Sequence, residues 1–215
     1  MTEENTVVVL EDIQGDEELL AYLAMGDEYL GAIGYTEHGL RHANLVAHIS
    51  GNIMARLGYD ERTVQIAAIA GFLHDVGNCV GRTEHGISAA LLSKDALYRL
   101  GMPPREVALV MNALGNHEEE FGDPATPIAA AAILADKSDV HHTRVRNTDP
   151  AAFDIHDRVN YAAKRSFLRV DSDTRIIALE IDIDTEISQV MEYFEIFLSR
   201  MQMCRRAADT LDAHF

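Results

Sequence analysis

Apolar residues at helical spacing recur along most of the chain and predict a mostly α-helical protein. Residues 66–71 carry no polar side chain, which predicts a helix buried on all sides. The segment 72–77 follows and brings His74 and Asp75, side by side, to the end of that helix. Buried charges are usually paired or metal-bound, because burying a bare carboxylate costs several kcal/mol. A capped helix end with an exposed Asp75 is the alternative interpretation.

The same periodicity and the turn residues between periodic segments place the other elements. Helices are predicted over residues 16–32, 36–57, 60–75, 84–92, 94–100, 103–114, 127–140 and 185–208. Residues 7–13 stay unassigned, 141–160 are polar and irregular, and 158–166 have a further helical pattern. Segments 167–170 and 175–181 predict two strands of a hairpin, with residues 171–174 as its turn.

Length and composition are those of one globular domain. The chain has 215 residues, of which 47% are hydrophobic, enough for a single core. We expect residues 16–140 to form a helical core. Residues 141–215 then supply a polar loop, the β-hairpin and the long final helix.

The charge balance limits the classes of partner. A formal net charge of −17 without a basic stripe argues against nucleic-acid polymers and anionic membranes as partners. Bound metal ions could supply the positive centre that an anionic small molecule needs. Two distant cysteines, acidic residues 1–5 and the lack of an apolar run of about 18 residues predict a cytoplasmic protein.

Candidate metal ligands come from five separate helix ends or helix faces. They are His42, the pair His74 and Asp75, His85, His117 and Asp136. Each has an ordinary alternative, because a histidine can pack in a core and Asp136 can face water beside Lys137. A shared role of these residues in binding metal is favoured over five independent structural roles, although their spacing in the sequence does not prove it.

In its order of residues the chain resembles the HD superfamily of metal-dependent phosphohydrolases. The family signature is a His, then His-Asp, then a distant Asp, and His42, His74, Asp75 and Asp136 match those positions. The resemblance covers about residues 36–140 and implies an all-α bundle. It also implies a second metal, since His85 and His117 stand where two-metal branches place further ligands.

Roles for the six residues follow from this resemblance. It assigns His42, His74, Asp75 and Asp136 to one metal, and makes Asp75 the bridge to a second metal held by His85 and His117. His74 and Asp75 are the implied catalytic residues, and a hydroxide between the metals would attack phosphorus in line. The mixed nitrogen and oxygen donors suit two divalent ions of Fe, Mn, Zn, Co or Ni.

Substrate contacts are predicted near these ligands. The candidates are His38, Asn116, Lys137, Arg144 and Arg146, each of which has a structural role as its alternative. The segment from Asn116 to Asp136 is similar to the HD-GYP branch, which hydrolyses cyclic dinucleotides. Asn116 stands where that branch has a second histidine, so a general two-metal site is favoured over a named substrate.

The leading hypothesis is a dinuclear phosphohydrolase acting on a small phosphorylated metabolite such as a nucleotide. Two rivals stay open: an HD-type di-iron oxygenase, which uses the same set of six ligands, and a non-catalytic nucleotide-binding sensor. The final helix also has a broad apolar face, made by Ile187, Val190, Met191, Phe194, Leu198 and Met201. This face either packs on the chain's own core or forms the seam of a homodimer.

Overall fold

The computed structural model describes residues 7–215, and residues 1–5, whose acidity entered the prediction of location, lie outside that part. Its helices are α1 (Leu10–Gln14), α2 (Glu17–Ala32), α3 (Leu40–Arg56), α4 (Glu61–Leu73), α5 (His85–Arg99), α6 (Pro104–Gly115), α7 (Pro127–Lys137), α8 (Ile155–Ala162) and α9 (Val190–Thr210). Two strands, β1 (Ala163–Asp171) and β2 (Ile176–Ile183), form an antiparallel hairpin. The predicted helical bundle with a small C-terminal hairpin and a long final helix is confirmed.

Helices α3, α4 and α7 form the centre of the bundle. All side chains of α4 from Ile66 onward are buried, as the apolar run predicts. Gly71 lets α3 and α4 cross closely, because a Cβ at this position would lie 2.6 Å from Ser50 Oγ and 2.9 Å from the Val46 carbonyl oxygen. This close crossing brings the start of α3 and the end of α4 to one place.

Several predicted helix boundaries are wrong. Helix α3 begins at Leu40 rather than 36, since Asp27 accepts a hydrogen bond from the His38 amide and holds the preceding residues extended. The predicted break at residue 93 is absent, because Ser93 is buried within a continuous α5. The helix predicted to 140 ends at Lys137, where Ser138 Oγ donates to the Ala135 carbonyl.

The C-terminal region is more regular than its polarity suggests. Residues 141–160 include most of α8, which Asp154 caps by accepting from the Asp157 amide. The helix predicted over 158–166 ends at Ala162, where β1 begins, and both strands are longer than predicted. The final helix starts at Val190 rather than 185, because Glu192 Oε2 accepts from the Gln189 amide and completes a capping box.

Helix α9 buries a different face from the apolar one noted in the sequence. Tyr193 and Phe197 are buried. Met191, Phe194 and Leu198 are 64%, 46% and 54% exposed, so this part of the predicted face does not pack on the chain's own core. Association of two copies through that face stays a prediction, which light scattering at several concentrations would test.

Candidate metal centre

All six predicted donors reach the same place from different elements. His42 lies in α3, His74 and Asp75 follow α4, His85 begins α5, His117 follows α6, and Asp136 lies in the last turn of α7. The first group is His42, His74 and Asp136, and the second group is Asp75, His85 and His117. Within each group the candidate ligand atoms lie within 4.8 Å of one another.

The first group is formed by three elements that cross at the bundle centre. His42 Nε2 lies 3.2 Å from His74 Nε2. Asp136 Oδ1 lies 3.3 Å from His42 Nε2 and 3.7 Å from His74 Nε2. Both rings are buried, with relative exposures of at most 1%. Bulk water therefore cannot hydrogen-bond to the two Nε2 atoms.

The second group lies beside the first. His85 Nε2 and His117 Nε2 are 2.9 Å apart, and Asp75 Oδ1 is 3.3 Å from His85 Nε2. Asp75 also faces the first group, because its Oδ2 lies 3.2 Å from His74 Nε2 and 3.6 Å from His42 Nε2. One carboxylate therefore offers one oxygen to each group, which is the position the bridging prediction requires.

The unmet bonding capacity of these atoms fits a bound cation. Asp75 Oδ2 is buried and accepts no hydrogen bond from any residue between 7 and 215. Such groups in folded proteins need an explanation, and an ion that the atom would bind is one. The donor set of imidazole nitrogens and carboxylate oxygens suits divalent transition metals.

Hydrogen bonds at the opposite side of each ring fix the histidines. Each Nδ1 lies against an acceptor: Asp139 Oδ2 for His42 at 2.7 Å, and main-chain carbonyls of Gly71, Arg82 and Leu114 for His74, His85 and His117 at 2.8, 2.9 and 2.7 Å. These acceptors place a proton on Nδ1 and turn the Nε2 lone pairs toward the centre. Lone pairs that face each other across about 3 Å need a proton or a cation between them.

Protonation states in the second group are set by burial and neighbouring charge. Burial and the nearby His85 hold the pKa of His117 well below its usual value, so this ring stays neutral. Burial would raise the pKa of Asp75, but His74 and His85 hold it well below the usual range. Burial lowers the pKa of His85, but Asp75 and Glu118 raise it above its usual value. Because neutral imidazole and ionised carboxylate are the forms that bind metal, metal binding at His85 releases a proton.

Glycine positions the second group. A Cβ on Gly77 would lie 2.0 Å from the His85 carbonyl oxygen and 2.5 Å from the Ala89 amide, so only glycine lets the turn after Asp75 pack against the start of α5.

The cap of α5 is Glu84, in a left-handed conformation with φ of 52°, and not Thr83 as the sequence suggests.

A cavity of about 470 Å³ opens onto the donors, a volume typical of small-molecule sites. Asp75, His85, His117 and Asp136 form part of its lining, whereas His42 and His74 lie behind them. Among the described residues, the lining also includes the side chains Tyr35, His38, Arg82, Glu118, Glu119, Lys137, Arg144 and Arg200. The candidate metal centre is therefore accessible to a ligand from one side.

Three of the five predicted substrate residues line this cavity. Lys137 Nζ lies 2.7 Å from Asp136 Oδ2, and the His38 ring stands 5.5 Å from that of His42. Arg144 is buried, and each of its three guanidinium nitrogens donates to a carbonyl oxygen of Glu37 or Asp139.

The other two predicted substrate residues are engaged elsewhere and do not line the cavity. Asn116 ends α6 and donates through Nδ2 to the Asn112 carbonyl at 2.9 Å. Arg146 pairs with Asp27.

Sequence reasoning missed several side chains of the site. Asp139, which orients His42, comes three residues after Asp136 and just beyond the end of α7, a proximity that could have indicated it. Glu118 lies 3.1 Å from His85 Nδ1 and directly follows His117. Arg200 comes from α9, more than 60 residues after Asp136, and no local pattern in the sequence marks it.

The fold and the donors define a helical protein with a candidate transition-metal centre. The family model of the HD domain matches residues 39–144, the segment that contains all six donors. The chain therefore contains an HD domain, which implies the superfamily of metal-dependent phosphohydrolases. Within residues 7–215, no helix is both long and apolar enough to span a membrane.

Curated relatives resemble parts of the chain. Ribonuclease Y of Oceanobacillus iheyensis is 34% identical over 101 residues, and Ribonuclease Y of Lawsonia intracellularis is 35% identical over 105 residues. These alignments cover 47% and 49% of this chain but only 18% of each relative. An uncharacterized protein of Methanocaldococcus jannaschii is 26% identical over 190 residues, which cover 76% of this chain and 71% of that protein. No solved structure gives a significant match.

Proposed function

We propose that this protein hydrolyses a phosphoric ester or anhydride bond of a small phosphorylated metabolite, such as a nucleotide, with two divalent metal ions. The observation that carries the proposal is the position of Asp75, which directs one carboxylate oxygen to each group of donors. The HD-domain match supports the reaction class, and the cavity above the donors supports a small substrate.

The residues divide into two ligand sets in this proposal. His42, His74 and Asp136 would hold one ion, His85 and His117 the other, and Asp75 would bridge them. When bound, such ions supply positive charge for phosphate oxygens and lower the pKa of water from about 15.7 to about 7. That positive charge is needed, since this chain has a net charge of −17.

Neighbouring side chains hold the ligands in the required state. Asp139 accepts from His42 Nδ1, which fixes the tautomer and keeps Nε2 directed toward the first group. Lys137 pairs with the outer oxygen of Asp136 at 2.7 Å and leaves Oδ1 directed toward the histidines. In this proposal both contacts position metal ligands.

A metal-dependent hydrolysis assay tests the proposal. Protein purified without chelator is analysed for bound metals, then incubated anaerobically with Mn²⁺ and a panel of nucleotides and sugar phosphates. We expect about two transition metals per chain and phosphate release from at least one compound. His74→Ala and Asp75→Ala should abolish that release, and Arg205→Ala, an exposed change on α9 away from the cavity, should not.

The same assay separates the rival functions. A silent anaerobic panel with substrate-dependent O₂ consumption in the presence of iron would establish the oxygenase instead. Metal and nucleotide binding without any turnover would indicate a sensor. Because two relatives are named Ribonuclease Y, a single-stranded RNA oligonucleotide belongs in the panel, and its cleavage alone would replace the small-metabolite proposal.

A further inference from the structure

Arg200 of α9 lies between the metal cavity and a second cavity of about 460 Å³. The two cavities share the lining residues Tyr35, His38, Arg82, Glu119, Arg144 and Arg200. Since the same side chains line both, the cavities are neighbouring compartments of one site. A ligand whose phosphate lies at the metal centre can therefore extend into the second cavity.

Arg144 and Arg200 both belong to the shared wall, by which we mean the six residues that line both cavities. The two arginines differ in their hydrogen bonds. Every guanidinium nitrogen of Arg144 donates to a main-chain carbonyl. Arg200 donates only through Nε, to Glu119 Oε1 at 3.0 Å, and neither of its terminal nitrogens bonds to any residue from 7 to 215. Its guanidinium also lies 4.3 Å from the centre of the Phe197 ring. The Nε hydrogen bond to Glu119 thus positions the Arg200 side chain. Its terminal nitrogens, Nη1 and Nη2, are available to hydrogen-bond a ligand.

Arg82 is a second incompletely bonded cation at the same wall. Its Nη1 makes long contacts of 3.3 Å with Asn78 Oδ1 and His85 Nε2 and lies 3.9 Å from Asp75 Oδ1, and its side chain is 35% exposed. Its guanidinium lies 5.5 Å from the centre of the Tyr35 ring. Guanidinium groups bind phosphate through paired hydrogen bonds, so two of them beside a metal centre suit a phosphate group.

The remaining lining of the second cavity has a different character. It includes the apolar side chains of Ile33, Ile196 and Phe197 and the carboxylates of Asp154 and Asp157, and it contains no Lys or Arg beyond the shared wall. Asn160 is buried there and donates through Nδ2 to the His156 carbonyl, while its Oδ1 accepts no hydrogen bond from the described residues. Such a lining suits an uncharged ring with hydrogen-bond donors and opposes a second phosphate.

We infer that Arg200 and Arg82 bind the phosphate of the substrate, and that the second cavity holds a nucleoside attached to it. The substrate class is then a nucleoside monophosphate rather than a triphosphate. This inference rests on the proposed function, which identifies the phosphoric ester as the bond that is hydrolysed. Binding of the phosphate and the nucleoside can nevertheless be measured without turnover.

Calorimetric binding to Mn²⁺-loaded protein tests the inference, with orthophosphate, adenosine monophosphate and adenosine triphosphate as probes. Arg200→Ala should weaken orthophosphate and monophosphate binding about 10- to 100-fold, as expected for loss of charge-assisted hydrogen bonds. Arg200→Lys should fall between, and Arg205→Ala on the same helix should match the parent protein. Asn160→Ala should weaken the monophosphate several-fold and leave orthophosphate unchanged.

The partner of Arg200 requires its own control. Glu119 also faces Lys137 at 3.6 Å, so loss of Arg200 could act by releasing this carboxylate. The double variant Glu119→Gln, Arg200→Ala should bind orthophosphate as weakly as Arg200→Ala alone. Restored binding in the double variant would assign the effect to Glu119 and overturn the inference.

Further outcomes separate this inference from the proposed function. Unchanged orthophosphate affinity in folded, metal-loaded Arg200→Ala or Arg200→Lys would overturn the inference, as would a parent protein that binds no phosphate or prefers the triphosphate. Arginine-dependent binding of the monophosphate without hydrolysis of any ester would uphold the inference and reject the proposed function.

Discussion

The two groups of donors differ in what surrounds their histidines. Behind His42 stands Asp139, whose Oδ2 accepts from His42 at 2.7 Å and from Arg41 Nη2 at 2.8 Å. The second group has Glu118 behind His85, at 3.1 Å from Nδ1, but it also has a cation in front of it, since Arg82 Nη1 lies 3.3 Å from His85 Nε2. A metal bound to His85 would compete with this contact. We therefore expect the first group to bind metal more tightly and the second group to lose it first to a chelator.

The largest effect should come from the residue that both groups share. Asp75→Ala should remove both metals. It should reduce the rate of hydrolysis by more than about 100-fold, which is the largest typical effect of losing a residue that only supports a metal ligand. The reason is that each group loses a carboxylate oxygen at once. Elemental analysis and phosphate release measure this change, with Asp75→Asn as a control of equal size. Two retained metals with normal turnover in Asp75→Ala would show that the groups are independent of Asp75.

Substitutions within the second group should separate it from the first. His85→Ala or His117→Ala should leave about one metal per chain, because His42, His74 and Asp136 keep their full set of supporting contacts. His42→Ala is the reciprocal variant and should spare the ion of the second group. Two fully occupied sites in the double variant His85→Ala, His117→Ala would refute the division into groups.

Outer-sphere carboxylates provide a matched pair of smaller changes. Asp139→Asn should lower metal affinity about 10- to 100-fold in the first group, since it replaces the charged acceptor that orients His42 with a neutral amide. Glu118→Gln should act in the same way on the second group through His85. Competition with a chromophoric chelator measures both affinities. If each substitution weakened both metals equally, the assignment of Asp139 to the first group and Glu118 to the second would be wrong.

The ion pair between Glu192 and Arg158 lies outside both metal-binding groups and should affect only the stability of the fold at low pH. Glu192 lies beside Arg158, which with Ser188 lowers the pKa of this carboxylate to about 2 from its usual 4.5. A lowered folded-state pKa stabilises the protein above pH 4.5, and that contribution is lost as pH falls toward 2. Glu192→Gln should flatten the pH dependence of Tm in this window and leave metal content unchanged. An altered metal content would link this pair to the site.

The fold could be predicted from sequence where one physical effect dominated. The apolar run before His74 required a buried helix, and α4 is buried as expected. Boundaries set by single contacts were not predictable. The start of α3, for example, depends on a hydrogen bond from the His38 amide to Asp27, and Asp27 lies in a different helix.

The candidate site shows the same limit. The six donors could be proposed because histidines and carboxylates at helix ends are uncommon in apolar surroundings. Arg144 was predicted as a substrate contact and lines the cavity, and each of its guanidinium nitrogens already donates to a main-chain carbonyl. Arg200 was missed because α9 reaches the cavity only through tertiary packing. Charge type can be read from a sequence, whereas available hydrogen-bonding capacity cannot.

Anomalous diffraction from crystals of metal-loaded protein tests whether Asp75 bridges two metal ions. We expect two metal peaks, one between His42, His74 and Asp136 and the other between His85 and His117, with one Asp75 oxygen at each. A single peak at full metal loading, or two peaks without contact to Asp75, would contradict the proposed bridged centre.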